Sequence, residues 1–183
     1  MLSLRTALND LPSPCVTRSL WVHERGPMDL TETPPPAPPL QGNHSKVIRH
    51  NGEYSWTGVD LEPYKATTDS WRGITRRELA GKRGESSRFH VRYFEIAPGG
   101  HSTLEQHEHE HVVIPIRGRG VAQFGQYIYQ VGFGDVVYVA PRDPHQFRNP
   151  EDSDEPFGFL CIVNADRDLP CAVEGGQVCY ICE

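Results

Sequence analysis

From residue 46 onward the chain is a series of short runs rich in β-branched and aromatic residues, each closed by glycine, proline, aspartate or asparagine. Val47–His50, Ile74–Leu79, Phe89–Ile96, His111–Arg117, Val121–Phe124, Tyr127–Val131, Val136–Val139 and Phe157–Val163 are such runs. No amphipathic helical pattern of about 12 residues or more interrupts them. Short strands set apart by turn residues predict an all-β sandwich or barrel rather than a helical bundle. Pro98-Gly99-Gly100 is expected to end the third run. Pro115 is a blemish in the fourth, because proline removes a ladder donor.

The prolines divide the chain. Of 16, eight lie in residues 1–42, including the run from Pro34 to Pro39. Such a segment favours extended linker over packed core, so residues 1–42 are read as a disordered Pro-rich N-terminal tail, residues 43–168 as the β-barrel and residues 169–183 as a Cys-containing C-terminal tail. The net charge of −6 argues against nucleic-acid binding. No run of about 18 apolar residues occurs, so no membrane helix is expected, and no signal-like apolar segment stands near the start. A cytoplasmic protein is expected. The odd count of five cysteines argues against a secreted disulfide framework.

The stretch PGGHSTLEQHEHEHVVIPIRGRG, residues 98–120, carries the chemistry. Glu105, His107, His109 and His111 are spaced by two, so on a strand they share one face. Imidazole and carboxylate together suit Fe, Mn, Ni, Zn or Cu. A second stretch, GDVVYVAPRDPHQFRN, runs a strand into Pro141 and delivers His145 after a turn. The alternative is a polar solvent-facing strand and a structural histidine, which would leave the pairing of the two stretches unexplained.

Together the two stretches resemble the motifs of the cupin superfamily. In its first motif a glycine precedes His-x-His by five residues, and a glutamate and a second glycine follow. Here Gly99, Glu105, His107, His111 and Gly118 keep that spacing, and Pro141, His145 and Asn149 match the second motif. The turn after Pro141 is one residue shorter than the strictest form, with Asp143 where a glycine is usual. The order of ligands is permuted, because Glu105 stands where histidine is usual and His111 where glutamate is. The resemblance implies a small double-stranded β-helix (jelly-roll) barrel that binds one divalent transition metal ion through Glu105, His107, His111 and His145. His109 then falls in a connecting turn beside the ligands. The rival frame, with His107 and His109 as the His-x-His pair, finds no carboxylate where one is needed. The resemblance also implies a homodimer.

A divalent ion held by three neutral histidines and one glutamate would carry a net charge of about +1 and keep two open positions if six-coordinate. Those positions suit a small anionic or enolisable substrate, or substrate with O2. The expected function is a metal-dependent dioxygenase-like oxidoreductase acting on a small organic molecule, with Glu105 as ligand or general base. The alternatives are a non-redox isomerase, lyase or cyclase using the ion as a Lewis acid, and a ligand-binding or redox-sensing module. Arg92, Tyr93, Gln123 and Phe147 are candidate substrate contacts, Arg92 foremost because it can pair with an anion. Cys171, Cys179 and Cys182 are candidates for a tail metal or redox site. The stretch Asp60–Lys82, with Tyr64, Trp71, Arg72, Arg76 and Arg77, reads equally as a cover for the barrel mouth, a dimer edge or solvated surface.

Overall fold

A computed structural model describes residues 39–65, 70–174, 177 and 178. These all fall in one unit spanning Ala37–Glu183. The N-terminal tail expected over 1–42 therefore lies almost wholly outside the described residues. The strands are β1 (Glu62–Pro63), β2 (Arg72–Ala80), β3 (Phe89–His101), β4 (Glu105–Gln106), β5 (His111–Arg117), β6 (Arg119–Phe124), β7 (Tyr127–Gly132), β8 (Val137–Val139), β9 (His145–Arg148), β10 (Phe157–Asn164), β11 (Cys171–Glu174) and β12 (Gln177–Val178). Every pairing is antiparallel. No helix occurs among the described residues, so none is long and apolar enough to cross a membrane.

One long strand curls the sheet. The N-terminal part of β3 pairs with β10 on one side and β2 on the other, while its last residue, His101, reaches β9 opposite Arg148. From β9 the sheet continues to β4 and β11 on one edge and to β6 and β7 on another. Past β10 it ends in β5 and β8. β3 runs straight through Pro98-Gly99-Gly100, which the sequence was expected to use as a stop. Backbone partners carry it: Gly99 N–H donates to Pro150 O (3.1 Å) and Asn149 N–H to Gly100 O (3.0 Å).

Strand period decides what faces inward. Ile74 of β2, Phe94 and Ile96 of β3, Val113 of β5, Phe147 of β9 and Phe157, Phe159, Cys161 and Val163 of β10 form the inner core. The alternate residues Leu79, Tyr93 and Leu160 face outward and are covered by Ile48, Tyr54, Trp56 and Val59. Val47–His50 is thus not the strand expected from its composition; it makes one isolated bridge, His50 with Trp56, and serves as cover.

Pro115 is tolerated for a geometric reason. Its carbonyl accepts from Gly134 N–H (3.0 Å), so its nitrogen faces that same side. There β8 pairs only with His111–Val113, and no ladder bond is lost. The sheet also continues into the segment expected as a tail from residue 169. Cys171 and Ala172 of β11 pair with Gln106 and Glu105 of β4.

Candidate metal centre

Three imidazoles converge inside the sheet. His111 opens β5, His145 opens β9, and His107 follows β4 in the turn. Each offers a ring nitrogen, and the three nitrogens lie within 4.8 Å of one another. The Nε2 atoms of His111 and His145 face each other at 3.3 Å. All three side chains are buried.

The other ring nitrogens are occupied. His107 Nδ1–H donates to His109 O (2.6 Å) and His145 Nδ1–H to Asp143 O (2.8 Å). His111 Nδ1 lies 3.5 Å from Cys161 Sγ. A carbonyl acceptor at Nδ1 fixes the tautomer that leaves the Nε2 lone pair free for a metal. Burial, reinforced by the neighbouring imidazoles, pushes His107 down to about 4 and His111 to about 2. Burial likewise lowers His145. Neutral imidazoles aimed at one point fit a divalent transition metal, and His107, His111 and His145 would hold it.

Glu105 is next to this cluster but outside it. It sits opposite His145 in the register of β4 and β9. Its carboxylate pairs with Lys65 Nζ, and Tyr64 OH donates to it at 3.5 Å. The expected fourth ligand is thus engaged by a cation delivered from the segment before β2.

His109 is held beside the ligands. Its ring stacks on His107 with centroids 3.7 Å apart and 7° between planes. Its Nδ1 donates to Asp168 Oδ1 (2.5 Å), and the same carboxylate accepts from the backbone N–H of Glu108 and His109. Asp168, in the loop between β10 and β11, thereby braces the turn that carries His107. These donors hold its carboxyl below the usual range even though burial alone would raise it.

A cavity of about 670 Å³ opens on the triad. Arg92 and Phe147, two of the expected substrate contacts, line it. Tyr93 does not: one residue from Arg92, it points to the outer face and donates to Glu95 (2.7 Å). Gln123 is on β6, outside the cavity wall, and donates to Gly125 O (3.0 Å). Tyr64, Ser70 and Arg76 place part of Asp60–Lys82 on the cavity wall. Sequence reasoning gave no cavity role to Lys65, His90, Cys161, Arg167 or Asp168. Only His90 and Cys161 carried a signal, each being in strand phase with Arg92 or with the core residues of β10. Cys171 is disulfide-bonded, while Cys179 and Cys182 lie outside the described residues.

The fold and this constellation are those of a cupin, and comparison with known proteins agrees. The Cupin domain family (Cupin_2) matches residues 92–163, from β3 through β10. A relative from Rhodospirillum rubrum, named 1-methylthio-D-xylulose 5-phosphate methylsulfurylase, is 45% identical over 119 residues, or 64% of this chain and 74% of the relative. A solved cupin-2 domain from Rhodospirillum rubrum is similar with a TM-score of 0.62 and 43% identity, covering 68% of this chain and 82% of that one. A cupin 2 conserved barrel domain protein from Rhodopseudomonas palustris gives a TM-score of 0.64 at 35% identity, covering 72% and 89%. The chain belongs to the cupin superfamily.

Proposed function

We propose that the protein is a divalent-metal-dependent enzyme that cleaves the carbon–sulfur bond of a small phosphorylated ketose bearing a methylthio group. The observation that carries this reading is the convergence of His107, His111 and His145 on a cavity wall beside the free thiol of Cys161. The name of the 45%-identical relative supports the substrate class. A bound metal supplies Lewis-acid polarisation of a substrate carbonyl.

The chain's own residues supply the rest. Cys161 Sγ accepts from Arg92 Nη2–H (3.2 Å) and from His111 Nδ1–H (3.5 Å). Burial pushes this thiol above its ordinary value, and the Arg92 guanidinium pulls the other way, towards the thiolate. The Cys161 thiolate attacks the methylthio sulfur. A sulfur–sulfur bond forms, the carbon–sulfur bond breaks, and its electron pair passes to the carbon beside the carbonyl as an enolate. Lys65, paired with Glu105 at the cavity wall, supplies the proton that carbon takes up. A small thiol then attacks the methylthio sulfur of the mixed disulfide, carries that group away as its own mixed disulfide, releases Cys161 as the thiolate and returns a proton to Lys65.

Oxygenation, the chemistry expected from the sequence, would use the same triad but consume O2. Anaerobic assay of 1-methylthio-D-xylulose 5-phosphate with a thiol reductant separates the two. The proposal expects undiminished turnover without O2 and loss of turnover on metal removal. Turnover that stops without O2 would overturn the reading, as would full turnover by metal-free protein.

A further inference from the structure

The cavity holds more positive charge than its carboxylates account for. Four long cationic side chains line it: Lys65, Arg76, Arg92 and Arg167. Two are neutralised. Lys65 pairs with Glu105, and Arg76 pairs with Glu62 (2.8 Å) and Glu78 (3.3 Å). The other two, Arg92 and Arg167, have no carboxylate within ion-pair distance among the described residues. Glu78 stands opposite Arg92 in strand register but is engaged by Arg76 and Lys82. Asp168, next in sequence to Arg167, is engaged by His109.

Groups other than carboxylates orient both guanidiniums. Arg92 lies over the Phe94 ring at 5.1 Å and donates to Cys161 Sγ, while its Nε is buried with no hydrogen-bond partner. Arg167 donates from Nη1 to His90 Nδ1 and to Asn164 O, each at 3.2 Å. Burial and then the Arg92 charge pull Arg167 below its usual value, so the two cations repel across a partly desolvated space. Two guanidiniums lining one cavity without a carboxylate partner are a site for an oxyanion, because the fork of each matches two oxygens.

We propose that Arg92 and Arg167 form a phosphate-binding subsite of the cavity, with Cys161 in contact with both Arg92 and His111 of the triad. The assignment deepens the reading of a phosphorylated substrate and rests on it. A ligand spanning both ends would place its phosphate on the arginines and its carbonyl and sulfur at the triad and Cys161. Arg167 comes from the loop between β10 and β11, so this end of the cavity is built partly outside the residues that carry the cupin motifs.

Calorimetric titration of the metal-loaded protein with inorganic phosphate at low ionic strength tests this. Saturable binding at one site per chain is expected, weakened at least tenfold in Arg167→Met and in Arg92→Met, with partial recovery in Arg167→Lys. Arg167 lies on a loop, so its variants report binding even if Arg92→Met fails to fold. Binding to wild type that does not saturate, or equal affinity in Arg167→Met, overturns the proposal. Metal-free wild type separates it from the metal reading. Phosphate binding that persists there supports the arginine subsite whatever the metal does in turnover, and binding lost there with the arginines intact overturns it.

Discussion

At the scale of the residue, the triad's behaviour follows from burial. His107 and His111 are held neutral in the folded protein, with pKa values pushed to about 4 and 2 from the usual 6.5. In the unfolded chain they protonate near 6.5. Below that pH the unfolded state binds protons that the folded state refuses, so stability falls with pH. Metal-free protein is therefore expected to show a lower urea midpoint at pH 5 than at pH 7.5, the loss beginning near 6.5. An unchanged or higher midpoint at pH 5 would contradict this. Cys161 yields a second prediction. Cys161→Ser keeps the size of the side chain but removes the nucleophile, so kcat/KM for the methylthio substrate falls at least about 100-fold. Metal content stays at the wild-type level, and retained activity would remove Cys161 from the chemistry.

At the scale of the element, the motif residues divide into those that bind and those that shape. Gly99 and Gly118 take φ values of +71° and +59°, in the left-handed region that glycine adopts readily. A Cβ at Gly118 would also meet Pro156 O at 2.5 Å. Asn149 is buried, and its Nδ2 donates to Ile96 O (2.9 Å) and Glu155 O (3.0 Å). It ties β3 to the turn before β10. Asn149→Ala orphans both carbonyls and is expected to cost about 2 kcal/mol in denaturant unfolding, with the metal affinity of the folded protein little changed. Motif spacing was thus readable, because the glycines, Asn149 and the three histidines are local demands of turn and strand. The continuation of β3 through Pro98-Gly99-Gly100 was not. It depends on backbone partners at residues 149 and 150, some fifty positions away. Lys65, Arg167 and Asp168 were equally hidden, since loops deliver them to the cavity and no periodicity marks a loop residue. Tyr93 shows how strand phase decides: Arg92 and Tyr93 were both candidates in sequence, Arg92 the foremost, and alternate faces send only Arg92 inward.

At the scale of the whole molecule, two strands and a turn from different parts of the sheet converge at the triad, so metal binding and folding are coupled. A metal present at 100 times its Kd adds about 2.7 kcal/mol to the folded state. For a domain of this size, that corresponds to a Tm higher by roughly 5–10 °C. Chelation is expected to lower Tm by that order in calorimetry, and to have no effect on a protein already lacking His145. The chain's acidic balance fits the same picture: the unpaired positive charge is held within the cavity, while the net charge is −6. The most direct test is metal content per chain by elemental analysis, comparing reconstituted wild type with His145→Ala. One equivalent of a divalent transition metal in wild type and essentially none in the variant is the result this account predicts. Equal metal content in the two proteins would contradict it.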